Sequence, residues 1–249
     1  YFNVFGTTAI TAVTAQNPDV VNAIFPLSAE AVKEQISTVR QACIVQAAKT
    51  GMLFNSDIIK AAAEMLGEAS TTKLVVDPVM VAGSGAKLLK KDAVEEMKHS
   101  LLPSADVITP NIPEAEMLTG RKFADEENAI SGAHELAGKF RCSVLLKGGH
   151  READCSTDIL VNDSSSYLIS SPVLKPPNTH GTGCSMSAAI TACLSSGYSV
   201  LEAVIRAKAY VYGSLENCCR IGNRTWSPGL PKHLLTQKII YTTLKPKST

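Results

Sequence analysis

The sequence predicts a single α/β domain built on a mostly parallel central sheet, and three observations carry that expectation. Short β-branched runs alternate with amphipathic helical stretches, the pattern of parallel strands joined by crossover helices. At 249 residues the chain is long enough for one large domain with a substantial core, and residues 1–249 are read as one unit. Three of the apolar runs, Lys73–Asp77, Asp106–Thr109 and Ser143–Lys147, end on a polar residue. That arrangement gathers chemistry at strand C-termini, where open α/β sheets bind ligands.

Helices are expected at 57–68 with Ser56 as cap, at 92–101 with Asp92 as cap, and at 113–118 opening on Pro113. Others are expected at 125–139 with Asp125 as cap, at 184–196 and at 200–219. The runs 156–162 and 166–171 flank Asn162-Asp163-Ser164-Ser165 and read as a hairpin. Pro176-Pro177 stiffens the approach to Asn178, and the chain beyond Arg220 reads as an irregular connection before a short terminal element.

Composition excludes several classes of function. With 24 basic and 23 acidic residues, a formal charge of +1 and no basic block, the chain is not built for nucleic acid or a membrane surface. A small-molecule partner is expected instead. Seven cysteines without a C-x-x-C pair or His/Cys metal spacing read as reduced intracellular thiols, not as a disulfide framework or a zinc site. The uncharged stretch Thr182–Leu201 is rich in Ser and Thr and broken at Gly197, so it reads as a buried helix and loop, not a membrane span. With no signal-peptide pattern, the expected location is cytoplasmic.

The most informative stretch is Asn178-Thr179-His180-Gly181-Thr182-Gly183-Cys184, leading into the helix-compatible run Ser185–Ile190. Two glycines flanking a threonine at a helix start leave several backbone N–H groups aimed at one spot with no Cβ in the way, which suits a phosphate. Cys184 is either a small residue packed at that helix start or, because the helix N-terminus and nearby cations favour the thiolate, a base for a hydroxyl proton. His180 precedes the loop and is expected to fix its backbone.

Together with Thr11–Asn17, Gly51-Met52-Leu53, Asp77-Pro78-Val79-Met80-Val81-Ala82, Thr109–Glu116 and Lys147-Gly148-Gly149-His150, this motif resembles the hydroxymethylpyrimidine/phosphomethylpyrimidine kinases. That family is the thiamin-biosynthesis branch of the ribokinase-like superfamily, and the motifs occur in its order from residue 3 to about 215. Most sugar kinases of the superfamily carry an aspartate where this chain has Cys184. The resemblance implies a three-layer α/β/α sandwich that uses Mg-ATP to phosphorylate 4-amino-5-hydroxymethyl-2-methylpyrimidine and then its monophosphate. It also implies a homodimer. Family members carry a first strand and a glycine-rich substrate turn ahead of the matched region, so that element is expected to be missing from a sequence that opens on Tyr1-Phe2-Asn3.

The site residues follow motif by motif. Gly181, Thr182, Gly183 and Cys184 would form the anion hole and base, and Lys147, ending a strand before two glycines, would reach a phosphate. Asn111 would join Lys147, Thr182 and Gly183 in binding ATP, although an Asn before a helix is also a natural cap and Thr182 could equally be one. Glu114, with Asp77 as a second candidate, would organise Mg²⁺ largely through water. Gln16 would read the ring nitrogen and exocyclic amine of the pyrimidine, because a primary amide both donates and accepts. Thr14 and Cys184 would line the same pocket, and Met52 and Val79 would supply apolar walls, though both also suit the core. Thr14 stands where the family commonly has an apolar residue, and Gly83 where a longer side chain is frequent. Two rivals remain: a pyridoxal or pyridoxine kinase, whose substrate also presents a hydroxymethyl group on a nitrogen heteroaromatic, and a non-catalytic vitamer-binding protein.

Overall fold

The computed structural model describes the chain except residues 18, 68–70, 81–88, 90, 152–153, 163–164, 175–179, 223–224 and 245–249. A hairpin of β1 (Ala12–Gln16) and β2 (Val21–Pro26) precedes α1 (Ala29–Ala42). Then come β3 (Ala47–Thr50), α2 (Ser56–Gly67), β4 (Lys73–Val76), α3 (Lys91–Glu96), β5 (Val107–Ile108), α4 (Ile112–Thr119) and α5 (Glu126–Phe140). The rest is β6 (Ser143–Arg151), β7 (Cys155–Asn162), β8 (Ser165–Pro172), α6 (Thr182–Ser195), α7 (Val200–Glu216), β9 (Cys219–Arg220), β10 (Trp226–Ser227) and β11 (Ile240–Leu244).

The main sheet has the order β11-β8-β7-β6-β5-β4-β3. Strands β3 to β6 are parallel, β7 is antiparallel to both β6 and β8, and β11 returns antiparallel along β8. Five strands, β3 to β6 and β8, therefore run one way, as the mostly parallel expectation requires. The terminal element is the edge strand β11, and the hairpin expected around residue 163 is β7–β8, its two loop residues lying outside those described.

Alternation along each central strand builds the three layers. Leu74, Val76, Ile108, Val144, Leu146, Ile159 and Val161 point into one core with α1 to α5, while Val75, Val107, Leu145, Leu160 and Ile169 point into a second core with α6 and α7. Strands buried on both faces read as continuous apolar runs, which is why the β-branched segments stand out in the sequence.

The helix ends were less legible. Asn55, not Ser56, accepts the Ile58 N–H at 2.9 Å, and Ser56 instead donates to Asp92, which lies inside α3 and does not cap it. Helix α3 gives way to a π-helical turn, Met97–Leu101, inside the span expected as one helix. Asp125 caps α5 as expected, through the Asn128 N–H. Helix α7 ends at Glu216, three residues short of the expectation, where Asn217 closes it. Unforeseen were α1, capped by Ser28, the β1–β2 hairpin and β3. The parallel topology sends the C-terminal ends of β3, β4, β5 and β6 to one side of the sheet. Among the described residues no helix is long and apolar enough to cross a membrane.

Candidate active site

The polar centre forms where these strands stop being apolar. Asp77 follows β4, Thr109 follows β5 and Lys147 lies in β6, and the ladder continues through them by the bonds Thr109 N to Val76 O and Lys147 N to Pro110 O. Asp77 is 2% exposed, and Lys147 Nζ donates to its Oδ1 at 2.9 Å. Thr109 Oγ1 donates to the same oxygen at 3.2 Å. Ser187 of α6 lies with its hydroxyl 3.0 Å from Asp77 Oδ2 and 3.1 Å from the Cys184 carbonyl, and Lys49 Nζ of β3 stands 3.5 Å from it. Both carboxylate oxygens thus face donors inside the protein. Asp77 holds Lys147 in place and ties β4 to the start of α6.

That start is the glycine loop. Helix α6 begins at Thr182, with Gly181 as its cap residue at φ +87°, a left-handed conformation that glycine adopts without strain. Thr182 is therefore the first helical residue and not the cap. Among the described residues no side chain caps the helix, and its first amides, through Cys184, have no intrahelical acceptor. A Cβ on Gly183 would sit 3.3 Å from Lys147 Nζ, which places the lysine ammonium directly against the loop. Cys184 is exposed in the first turn. His180 lies ahead of the loop with Nε2 buried and unpartnered among the described residues. Pro176, Pro177, Asn178 and Thr179 lie outside them.

Asn111 and Glu114 form a reciprocal capping box at the start of α4: Asn111 Oδ1 accepts the Glu114 N–H and Glu114 Oε2 accepts the Asn111 N–H, each at 2.9 Å. Asn111 is bridged to Lys147 across the sheet, so the box is registered against the lysine. Glu114 is 4% exposed. Burial pushes its carboxyl above the ordinary range; the Asn111 backbone N–H and Lys147 pull it back, Asp77 adds to the rise and the Met80 N–H opposes it. Among the described residues no three His, Cys, Asp or Glu side chains cluster as a metal cage. A single buried carboxylate near a second one fits Mg²⁺, which keeps several waters and takes its remaining ligands from substrate phosphates.

The expected substrate residues are more dispersed. Thr14 and Gln16 stand on β1, half-buried and exposed respectively, with no side-chain bond to the Asp77 centre among the described residues. The hairpin is nevertheless anchored beside it, because Thr11 Oγ1 donates to the Met52 carbonyl at 2.7 Å. Val79 is half-buried in a tight turn, its N–H on the Asp77 carbonyl at 2.8 Å; Val81, Ala82 and Gly83 lie outside the described residues. A cavity of about 1010 Å³ runs along β3 between residues 3–12, α1 and α6, and of the expected site residues only Met52 lines it. It is not where the polar side chains around Asp77 gather. Sequence reasoning missed Lys49, Ser187 and Thr109; the signal for Ser187 was its position three residues after Cys184, on the same helix face.

The family model described as phosphomethylpyrimidine kinase matches residues 1–228. The hydroxymethylpyrimidine/phosphomethylpyrimidine kinase of Bacillus subtilis is 40% identical over 222 residues, which are 89% of this chain and 82% of that protein. The pyridoxal kinase of Staphylococcus aureus, solved with AMP-PCP and pyridoxal, superposes with a TM-score of 0.84 at 30% identity, covering 98% of this chain and 89% of the other. Phosphomethylpyrimidine kinase from Clostridium difficile gives 0.73 at 37% identity, covering 85% and 87%. With a sandwich of this topology and a cysteine at the mouth of its glycine loop, the chain belongs to the phosphomethylpyrimidine kinase family.

Proposed function

We propose that the protein is an ATP-dependent kinase that phosphorylates 4-amino-5-hydroxymethyl-2-methylpyrimidine and then its monophosphate, giving the diphosphate for thiamin synthesis. The observation that carries this reading is the approach of Lys147 to Gly183, which joins a fixed cation to an uncapped helix N-terminus beside Cys184. Phosphoryl transfer asks the protein mainly for position and for fixed positive charge where negative charge grows. Lys147, held by Asp77, and the amides of the 181–184 turn supply that charge. Cys184 takes the hydroxyl proton as the substrate oxygen attacks the γ-phosphorus of ATP and ADP leaves. Asn111, whose Oδ1 is committed to the cap, has its amide N–H groups left for a phosphate, and Thr182 adds a hydroxyl.

Glu114 would hold Mg²⁺ through water, with Asp77 acting on that network from behind Lys147 because its oxygens already face donors. The ion supplies charge neutralisation on the phosphate oxygens. Gln16 and Thr14 on β1, with Met52 and Val79, would enclose the pyrimidine. The same reading carries a cytoplasmic location and a homodimer, and light scattering on the purified protein tests the dimer.

Pyridoxal is the second candidate substrate, favoured by the closer superposition on the pyridoxal kinase than on the phosphomethylpyrimidine kinase. Steady-state kcat/KM with Mg-ATP on the pyrimidine alcohol, its monophosphate and pyridoxal decides between them. Turnover of pyridoxal well above that of both pyrimidines overturns the first reading, and no turnover of any of the three leaves a binding protein.

A further inference from the structure

A second buried ion pair lies behind Lys147, outside the residues that would touch substrate. Asp158 on β7 and Lys208 on α7 meet at 2.7 Å with side-chain exposures of 6% and 5%. The other oxygen of Asp158 accepts the Gly148 N–H, also at 2.7 Å. The reason lies in the register of β6 and β7, where Leu146 faces Ile159 and His150 faces Thr157. Residues 147–149 of β6 are therefore opposed by Asp158 alone. The ladder cannot pair the bulged segment, and Gly148, at φ +67°, carries an N–H with no strand carbonyl to receive it. The Asp158 carboxylate takes the place of that carbonyl, and Lys208 supplies the counter-charge that a carboxylate buried among apolar side chains requires.

We propose that Asp158 and Lys208 are positioning residues that set the bulge at Gly148 and thereby aim Lys147 at the glycine loop. Stability alone does not account for such a pair, since exchanging a buried ion pair for apolar residues is often neutral or stabilising. What apolar residues cannot replace is the acceptor for Gly148. The inference rests on Lys147 as the phosphate-holding cation, and it does not depend on which alcohol is phosphorylated.

The test compares Asp158→Asn/Lys208→Met, which removes both charges but keeps an oxygen for Gly148, with Asp158→Leu/Lys208→Met, which removes the oxygen as well. Each is made with and without Lys147→Ala, and Tm, the Kd for ADP and kcat/KM for ATP are measured. At similar Tm, the apolar pair is expected to lose about 10- to 100-fold in ADP affinity and kcat/KM, as a displacement of about 1 Å would cause. The amide pair loses less, because a neutral oxygen is a weaker acceptor than a carboxylate but still an acceptor. Lys147→Ala then costs less in either background than in the wild type, since the two changes act through one group. Wild-type ADP affinity in both pairs overturns the proposal, as does a Lys147→Ala penalty that is the same in all backgrounds. Should the apolar pair not fold, the amide pair decides alone by the same two criteria. ADP affinity needs no acceptor substrate, so failure of the wild-type enzyme on the pyrimidine would sink the proposed substrate and leave this result standing.

Discussion

Gly183 and Lys147 lie so close that a Cβ on the glycine would stand 3.3 Å from the lysine Nζ, an ammonium already fixed 2.9 Å from Asp77. Gly183 is the second residue of α6 and has no positive φ. Alanine there suits the helix better than glycine by about 0.5–1 kcal/mol. It also displaces Lys147 by a few tenths of an ångström from the loop. Gly183→Ala is therefore expected to raise or keep Tm while lowering kcat/KM for ATP, and a variant with unchanged kinetics would show that this contact does not matter.

Glu114 makes a prediction about pH. Burial raises its carboxyl above the ordinary value, so the folded state favours the neutral form. The stability this contributes is present below the unfolded-state value of about 4.3 and is lost as pH rises through the raised folded value. Glu114→Gln keeps an oxygen for the Asn111 N–H and removes that loss. Its Tm should exceed that of the wild type near neutral pH, with the difference closing as the pH falls toward about 4. Activity should drop at the same time and respond more weakly to added Mg²⁺. Parallel Tm curves across the pH range would mean that Glu114 is not held above its ordinary value.

How much of this was legible depends on whether a residue's role is local. The glycine loop, the Asn111–Glu114 box and the strand-terminal positions of Asp77 and Lys147 show in the sequence because each is a short motif with its own backbone demand. Thr109 and Ser187 are polar residues whose meaning comes only from Asp77, respectively 32 and 110 positions away. Lys208 could have been noticed as a cation among the apolar positions 203, 204, 207 and 212 of one helix face, and Asp158 as an acid in an apolar strand. Nothing local says that they meet. Helix α1 is legible in the sequence, since Val32, Ile36 and Val39 recur at i, i+4 and i+7 behind the Ser28 cap, although only Val32 is fully buried. The caps at Asn55 and Gly181 were misplaced by one residue because Asn-Ser and Gly-Thr each offer two plausible cap residues in succession.

Gln16 stands where β1 loses register with β2, between Ala15 and Gln16, an irregularity that re-aims a side chain. Its side chain is exposed, and on the proposed reading a bound ring would cover it. Gln16→Leu is expected to weaken pyrimidine binding by about 1–3 kcal/mol per unpaired buried group, with Tm unchanged. Calorimetric titration of the pyrimidine alcohol into both proteins measures this, and equal affinities would place ring recognition on other residues.

The role proposed for Cys184 would separate the two phosphorylations. The hydroxymethyl group must lose a proton as it attacks ATP, and a positioned base accelerates such a step by typically about 10²–10⁴-fold. The second nucleophile is a phosphate oxygen that is already anionic near neutral pH, so it needs position and charge neutralisation but no base. The Cys184 side chain is exposed, whereas its carbonyl lies 3.1 Å from the Ser187 hydroxyl. Cys184→Ala therefore removes the thiol and leaves the backbone of the loop anchored. Phosphorylation of the alcohol should fall far more than phosphorylation of the monophosphate, with kcat/KM measured separately for each. Equal losses would assign Cys184 a packing or anion-hole role, and no loss in either step would remove it from the mechanism.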